Sequence, residues 1–422
     1  MIFILVDTLR ADHTSLHGYH RQTTPFLEEL ARESVVFERA RTQAACTFPS
    51  VNSMLTSRYA FDFYRSKDGF MGIPESYPTA AQLLKRHGYA TAAVSASPIV
   101  RTTPSRFNPA GGFGRGFDTF DEQCLWSKAE CVNRKAIEVV SGLEEPFFLY
   151  LHYMDPHAHY QPPPEHERAF SGGPYDGPEF IASGNVQPIA EMLYKDGPKV
   201  EYDDRDIQHL VDLYDDEILY FDTMLRALVS RLRDSGQLDR SLLIVTSDHG
   251  EEFLEHGHIE HCRGVWNTLT HVPLLIRYPG AFGGTRVSAA VQGIDLLPTI
   301  LGVLGLPADE ADLDGSNLVP LVVHGDEQTR FAYSDQSRYR SADDGQFHLI
   351  LDGVTGDFSL FDVVRDPLEI DDCFSLSHPR TNQLSTELED WLTETGQRVR
   401  FDLALAASKE QEENLRALGY LE

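Results

Sequence analysis

Short apolar runs and longer amphipathic stretches alternate along the first 330 or so residues of the chain. The apolar runs, which have the length and β-branched content of buried strands, are IFILVD (2–7), YATAAVSAS (89–97), PFFLYLHYMD (146–155), SLLIVTSDHG (241–250) and VPLLIRYPG (272–280). The segments with helical spacing are TPFLEELARES (24–34), TAAQLLKRHG (79–88), the long stretch 207–236 and GIDLLPTILGVLG (293–305). This alternation predicts an α/β fold in which helices cover both faces of a large, mostly parallel sheet.

The pattern changes after about residue 330. Two short strand-like runs, QFHLILDG and FSLFDVV, are followed by a final helical stretch near 382–397. We therefore predict a large α/β domain over 1–330 and a small C-terminal α+β subdomain over 331–422 that completes the fold.

Polar side chains follow three of the predicted strands at their carboxyl ends. These side chains are Asp7, Asp155 with its neighbouring histidines, and the pair Asp248 and His249. Ligands of open parallel sheets gather at this edge, and carboxylate with imidazole suits a divalent cation. Each acid alone has a simpler explanation as a cap or a turn residue, but agreement among three strand ends favours a metal site.

The charge of the chain excludes some partners. The 65 acidic residues outnumber the 36 basic ones, giving a formal charge of −29. Such a chain is repelled by nucleic acid and by anionic membrane surfaces. Only seven of the basic residues are lysine, and few lysines among many carboxylates are typical of a halophilic protein, whose charges are screened within about 3 Å in molar salt.

The cysteines and the N-terminal segment bear on the compartment. The five cysteines are odd in number and have no C-x-x-C spacing, so we expect neither a disulfide framework nor a zinc knuckle. The opening apolar run stops at Asp7, too early for a secretory signal, and no run approaches the ~18 residues of a membrane span. These patterns predict a cytoplasmic protein without a membrane span.

The stretch AACTFPSVNS (44–53) contains three candidate nucleophiles, Cys46, Thr47 and Ser50, ahead of a helix-like run. A hydroxyl placed at a helix N-terminus could attack a substrate. The same letters also describe an ordinary helix cap. The stretch alone leaves both possibilities open.

Many segments resemble the sulfatases within the alkaline phosphatase superfamily, nearly from end to end and in the same order. They are VDTLRADH (6–13), TTPFLEELARESVVFERA (23–40), CTFPSVNSMLTS (46–57), RGFDTFDE (115–122), LHYMDPHAHYQPP (151–163), IVTSDHGEEFLEHGHIEHCRG (244–264), HVPLLIRYPG (271–280), GIDLLPTILGVLGLP (293–307) and LRALGYLE (415–422). The resemblance implies an alkaline phosphatase-like sandwich with a small C-terminal subdomain.

Within this resemblance the nucleophile slot, two residues before Pro49, falls on Thr47. Many sulfatases convert a Cys or Ser in that slot to formylglycine, and Thr47 closes that route. Cys46 is then expected to be a buried neighbour rather than a reactive thiol. A threonine has one hydroxyl, so its covalent ester must be cleared by attack on the central atom. Superfamily members with threonine here typically act on phosphorus, whereas the surrounding segments resemble sulfatases.

The resemblance assigns a divalent cation to Asp7, Asp248, His249 and the Thr47 hydroxyl. The family often has a second acid after the first, and this chain has Thr8 there. Together with His249 in place of an asparagine, this difference favours manganese, zinc or magnesium over calcium.

Two alternatives remain for the histidine-rich segments. Asp155 and His159 have the spacing of a second metal site in two-metal relatives, and His258 or His261 is placed to complete it. In one-metal relatives the corresponding histidines contact the substrate instead, which would make His157 and His261 catalytic and place His152 at the anion. Arg263 matches a basic residue used near the anion. No counterpart of the lysine motif of arylsulfatases is present.

The expected function is metal-dependent hydrolysis of sulfate or phosphate esters of small molecules or glycans through a covalent Thr47 intermediate. There are two alternatives: a phospho-group transferase of the phosphoethanolamine type, and a non-catalytic binding protein of the same family.

Overall fold

An eight-stranded sheet forms the centre of the protein in the computed structural model. The structure describes residues 1–63, 73–104, 108, 111–164, 166, 169–171, 173, 175–195, 197–280, 283–325 and 329–396. In chain order the strands are β1 (Ile2–Val6), β2 (Val35–Arg41), β3 (Ala90–Ser95), β4 (Thr119–Asp121), β5 (Phe147–Tyr153), β6 (Leu243–Ser247), β7 (Glu252–Phe253), β8 (Ile259–Glu260), β9 (His271–Arg277), β10 (Thr285–Gln292), β11 (Ala332–Gln336), β12 (Tyr339–Asp343), β13 (Phe347–Asp352) and β14 (Phe358–Asp362).

The helices follow the strands in alternation. They are α1 (Pro25–Ala31), α2 (Thr47–Thr56), α3 (Ala80–Arg86), α4 (Ala129–Val140), α5 (Glu179–Ala182), α6 (Gln187–Tyr194), α7 (Asp204–Asp234), α8 (Asn267–Thr270), α9 (Leu296–Leu304), α10 (Val319–His324) and α11 (Pro379–Glu394). Among the described residues, no helix combines the length and the apolar content that crossing a bilayer requires.

The strand order of the large sheet is β10-β2-β9-β6-β1-β5-β3-β4. Every neighbouring pair is parallel except the two pairs that β9 makes with β2 and β6. The prediction of a large, mostly parallel sheet is therefore confirmed. The apolar run VPLLIRYPG supplies the antiparallel strand, because a strand buried on both faces has the same composition in either direction.

Alternate side chains of the central strand β1 enter two separate apolar layers. Ile2, Ile4 and Val6 pack with α1, α4 and α7 on one face, whereas Phe3 and Leu5 pack with α2, α3 and α9 on the other. Each layer removes large aliphatic side chains from water, at roughly 25 cal/mol for each Å² of apolar surface. Two covered faces explain why the strands are continuous apolar runs.

The C-terminal part forms a second, antiparallel sheet in the order β11-β12-β13-β14, with α11 packed on it. A buried ion pair joins it to the large sheet, since Arg41 Nη2 lies 2.6 Å from Asp343 Oδ2. The expected small α+β element is present. β11 (AYSDQ) and β12 (YRSAD) were not predicted because they contain few apolar residues. The family-like segment 415–422 lies outside the described residues.

Two disulfides contradict the expectation from the cysteine count. They join Cys46 to Cys262, which are 216 residues apart, and Cys124 to Cys131. Cys373 is the cysteine left with a free thiol. An odd number of cysteines is therefore compatible with two disulfides. Cys46 and Cys262 are brought together by the tertiary fold, which their spacing in the sequence does not reveal.

The acid Asp222 in α7 fixes the start of α1. Its carboxylate accepts hydrogen bonds from the backbone N–H groups of Phe26 and Leu27, at 2.7 and 2.9 Å. These groups have no partner within their own helix. Burial raises the pKa of Asp222 to about 7 despite the two N–H donors.

We expect the substitution Asp222→Asn to change the pH dependence of stability. In the folded state the pKa of Asp222 is about 7, whereas in the unfolded chain the carboxyl group has its ordinary pKa of 3.8. Its contribution to the free energy of unfolding therefore falls as the pH rises between these values. Denaturant titrations at several pH values should show the stability of Asp222→Asn, relative to the unsubstituted protein, increasing from pH 4 to pH 7. A difference that stays constant with pH would contradict this assignment.

Candidate functional site

Two acids leave adjacent strands at the carboxyl edge of the large sheet. β1 pairs in parallel with both β5 and β6, and Val6 lies opposite Tyr153 and Ser247. Asp7 and Asp248 are the residues that follow Val6 and Ser247, so the register places them side by side. Both carboxylates are buried.

Asp7 is held by an imidazole from the neighbouring strand. His152 lies opposite Leu5, and its Nε2 is 3.2 Å from Asp7 Oδ2. The other ring nitrogen, Nδ1, is 2.9 Å from the Tyr150 hydroxyl. Burial opposes ionisation of Asp7, but the hydrogen bond with His152 and the nearby His157 lower its pKa well below the ordinary value.

The pKa of Asp248 shifts in the opposite direction from that of Asp7. Its Oδ1 accepts hydrogen bonds from the backbone N–H groups of Thr8 (3.2 Å) and His249 (2.9 Å). Burial and the charge of Asp7 raise the pKa of Asp248 well above its ordinary value. Two carboxylates this close in a buried site do not both ionise unless a positive charge lies between them.

The remaining oxygens of this pair fit a cation. Asp7 Oδ1 and Asp248 Oδ2 are buried, and neither oxygen has a hydrogen-bond partner in the described part of the chain. One ligand atom each from Asp7, His152 and Asp248 lies within 4.8 Å of the others, and within the described ranges this is the group of acids, cysteines and histidines placed to hold a metal ion. His249 Nε2 is 3.8 Å from Asp7 Oδ1 and 3.5 Å from Asp248 Oδ2. Oxygen and imidazole donors of this kind suit a divalent cation.

Thr47 is the first residue of α2, and its hydroxyl faces the same cluster. Its Oγ1 is 3.2 Å from His249 Nε2. His249 Nδ1 lies 2.9 Å from the carbonyl oxygen of Gly250, so Nδ1 carries the proton and the Nε2 lone pair faces Thr47. Burial and the nearby His261 lower the pKa of His249 to about 3. The N-terminus of α2 also favours negative charge at this position.

A row of imidazoles continues away from Thr47. The ring centroids of His249 and His261 are 4.4 Å apart, and those of His261 and His157 are 5.1 Å apart. His261 Nδ1 is 2.9 Å from Glu251 Oε1, and burial together with His157 lowers the pKa of His261 to about 4.

The pKa of His157 shifts in the opposite direction from those of His249 and His261. Burial opposes its protonation, yet the carboxylates of Asp7 and Glu251 raise its pKa above the ordinary value. Its Nδ1 is 2.7 Å from the carbonyl oxygen of Ala158, so the proton on Nδ1 is committed to that bond and Nε2 remains available. The carboxylates therefore favour the protonated form at this end of the row.

The three residues expected at a second metal do not come together. Asp155 accepts a hydrogen bond from Ala129 N at 2.8 Å and lies 3.2 Å from Lys128 Nζ. His159 is exposed, and the His258 ring packs near Trp266 with centroids 5.6 Å apart. Asp155 forms an ion pair with Lys128. The i, i+4 spacing of Asp155 and His159 gives no indication of this pair.

The two residues expected at the anion, His152 and Arg263, each contact another protein side chain. His152 is buried against Asp7 rather than open to a substrate. The Arg263 guanidinium lies over the Tyr194 ring, 4.0 Å from its centroid. The pairing of β5 with β1 could have indicated the contact between His152 and Asp7, since side chains alternate along a strand and these two point to the same face of the sheet.

The disulfide between Cys46 and Cys262 joins the two halves of the site. Cys46 directly precedes Thr47, and Cys262 directly follows His261, so the bond ties the start of α2 to the segment that carries the imidazole row. The backbone N–H of Cys262 also donates to the carbonyl oxygen of Ala45, at 2.9 Å. The expectation that Cys46 is a buried neighbour without a reactive thiol agrees with this bond, but its partner was missed.

Comparisons with known proteins agree with this fold. Residues 1–306 match the family model described as Sulfatase. The chain belongs to the sulfatase family of the alkaline phosphatase superfamily, and the resemblance described above is confirmed.

Its relatives include arylsulfatase K of Gallus gallus, 24% identical over 366 residues that cover 76% of this chain and 66% of the relative. Another is the N-acetylglucosamine-6-O-sulfatase of Bacteroides thetaiotaomicron, 22% identical over 401 residues, 76% of this chain and 70% of the relative. The chain spans just under two thirds of the length of the arylsulfatase K relative.

Solved structures with the same fold include a protein in complex with its substrate D-glucosamine-2-N,6-O-disulfate, with a TM-score of 0.76 at 19% identity, covering 94% of this chain and 98% of that one. A phosphonate monoester hydrolase of Agrobacterium radiobacter has a TM-score of 0.73 at 20% identity, covering 94% and 95%.

We expect Asp7→Asn and Asp248→Asn each to weaken binding of a divalent metal at least about tenfold, because each removes a charged oxygen ligand. Equilibrium dialysis against manganese, zinc and magnesium, followed by elemental analysis, measures the bound metal per chain. Asp312→Asn, whose side chain is 91% exposed, is the control and should bind as the unsubstituted protein does. Unchanged binding in both site variants would show that the carboxylate pair does not hold the metal.

We also expect the double substitution Cys46→Ser with Cys262→Ser to lower the free energy of unfolding by about 2–4 kcal/mol, since the disulfide restricts the unfolded chain. Denaturant titration without reductant measures the change. Cys373→Ser, which removes the free thiol, should leave the stability within about 0.5 kcal/mol of the unsubstituted value. Equal stability of the double variant and this control would argue against a disulfide at the site.

Proposed function

We propose that the chain is a metal-dependent hydrolase of sulfate or phosphate esters that acts through Thr47. The observation that carries the proposal is the 3.2 Å contact of Thr47 Oγ1 with His249 Nε2, beside two buried carboxylates with unpartnered oxygens. Membership of the sulfatase family supports the same chemistry.

Asp7, Asp248, His249 and Thr47 would hold the cation. A divalent ion in this position supplies positive charge that lowers the pKa of a hydroxyl and offsets the charge of the ester oxygens. His152, through its contact with Asp7, would orient that carboxylate rather than bind substrate.

Before the first step Thr47 would release its hydroxyl proton to solvent, a loss that nearby positive charge favours. In the first step its Oγ forms a bond to the sulfur or phosphorus while the bond to the leaving oxygen breaks. His157 would donate the proton that the leaving alcohol needs, since nearby carboxylates raise its pKa and its Nε2 has no partner among the described residues. The lowered pKa of His261 favours its neutral form, and with Nδ1 donating to Glu251 its Nε2 carries a lone pair that would accept, not donate, a hydrogen bond in the site.

In the second step water replaces the alcohol. It attacks the same central atom and gives a proton to His157, which the first step left neutral, and the bond to Thr47 Oγ breaks. Thr47 has a single hydroxyl, so it cannot expel sulfate from a carbonyl hydrate as formylglycine does. Water must therefore reach the face of the sulfur or phosphorus opposite Thr47.

Substrates of this proposed site are small-molecule or glycan esters. The names of the relatives include sulfatases of aryl and N-acetylglucosamine esters and a phosphonate monoester hydrolase. We propose sulfate or phosphate esters of such alcohols for this chain.

Thr47→Ala should lower kcat by at least roughly 10³-fold, whereas Thr47→Ser should keep it within about tenfold, because serine retains the hydroxyl. The assay compares p-nitrophenyl sulfate, phosphate, phosphonate and bis-phosphodiester with added manganese, zinc or magnesium. Thr56→Ala, at the other end of α2, is the matched control and should retain activity.

Each other outcome points to a different function. Product attached to an added sugar or alcohol instead of free sulfate or phosphate would assign the chain as a transferase. No turnover of any substrate together with no bound metal would assign it as a non-catalytic binding protein. Full activity in Thr47→Ala would exclude Thr47 as the nucleophile.

A further inference from the structure

Trp126 stands out among the exposed side chains. The large hydrophobic residues exposed in the described part of the chain are aliphatic apart from this one, and the Trp126 side chain is 52% exposed. A single exposed apolar residue needs no functional explanation by itself. Its position in the fold decides whether it has one.

The indole extends the row of imidazoles that begins at Thr47. Its centroid is 6.0 Å from that of His157, and the two rings are inclined by 71°. His157 contacts His261, and His261 contacts His249 beside the Thr47 hydroxyl. Trp126 therefore lies one ring beyond the imidazole that faces the leaving oxygen in the proposed mechanism.

The backbone holds Trp126 in place from two sides. Its N–H donates to the carbonyl oxygen of Ala96, just beyond the end of β3, at 2.9 Å, and Trp126 has a left-handed φ of 58°. The disulfide between Cys124 and Cys131 closes a short loop around it. A bulky residue rarely adopts such a φ, so the surrounding contacts must impose it.

The same loop is anchored to the segment that carries His157. Asp155, two residues before His157, accepts a hydrogen bond from Ala129 N at 2.8 Å and pairs with Lys128 Nζ at 3.2 Å. Lys128 also pairs with the buried Glu217. These bonds tie the loop that carries Trp126 to the segment that carries His157, and a binding surface beside a reaction centre requires such support.

We propose that Trp126 is the platform for the ring of the leaving group, so that the substrate is a sulfate or phosphate ester of a cyclic alcohol. This inference rests on the proposed function for the position of the leaving oxygen. An indole face stacks on an aryl ring or on the C–H face of a pyranose, and these two rings share the flat apolar surface that a linear alkyl chain lacks.

The test measures binding without turnover. In the Thr47→Ala background, calorimetry gives Kd for phenyl sulfate, N-acetylglucosamine 6-sulfate and butyl sulfate, which carry an aryl ring, a pyranose and a linear chain. Adding Trp126→Ala should raise Kd for a ring ester about tenfold and for butyl sulfate less than twofold. Trp126→Phe, which keeps a flat face, should recover most of the loss. Leu376→Ala, at a side chain 79% exposed, is the control.

The outcomes separate this inference from the proposed function. A raised Kd in Trp126→Ala for phenyl sulfate alone, for the pyranose ester alone or for both supports the platform and identifies the kind of ring that it binds. Equal losses for ring and linear esters, no loss, or no binding of either ring ester would overturn it. If Trp126→Ala does not fold, as judged by circular dichroism, Trp126→Leu takes its place against Trp126→Phe. Ring-selective binding without hydrolysis by the unsubstituted protein would refute the proposed function and leave the platform standing.

Discussion

The parallel register of β1 with β6 forces two buried carboxylates, Asp7 and Asp248, against each other. Neither acid can move away, because each directly follows a strand that is hydrogen-bonded on both sides. Their opposed pKa shifts express this conflict, and a cation between them would resolve it. The position of the two carboxylates is thus a consequence of strand pairing. The loops around them position the other side chains of the site.

A second layer of contacts decides what each imidazole can do. The carbonyl oxygens of Gly250 and Ala158 take the Nδ1 protons of His249 and His157, and Glu251 takes that of His261. In each ring Nε2 is then the nitrogen left for chemistry. Burial lowers the pKa of His249 and His261, whereas nearby carboxylates raise the pKa of His157. Three chemically identical side chains therefore take different states from their backbone and acid neighbours.

The sequence was most informative for the buried strands, because burial on both faces determines both their apolar pattern and their place in the sheet. Continuous apolar runs ending in acids located β1, β5 and β6, since strands buried on both faces must be apolar and their ends must be polar. The run in β9 had the same composition but the opposite direction. β11 and β12 were missed because they gain stability from pairing with neighbours rather than from their own apolar content.

The site itself was only partly predictable. Asp7, Asp248, His249 and Thr47 are brought together as expected. The capture of Asp155 by Lys128 and the stacking of Arg263 on Tyr194 depend on residues distant in sequence that no spacing rule connects. The same holds for the disulfide partner of Cys46. Such contacts come from the tertiary fold, so they become visible only in three dimensions.

The bond between Cys46 and Cys262 has a practical consequence for producing the protein. A reducing host cytosol keeps thiols apart, whereas an oxidising export compartment lets them join. Material from the two sources would share one amino-acid sequence and differ in whether the start of α2 is fastened to the histidine segment. Preparations made in different cellular compartments are therefore different chemical species, and thiol titration of each batch should precede any comparison between them.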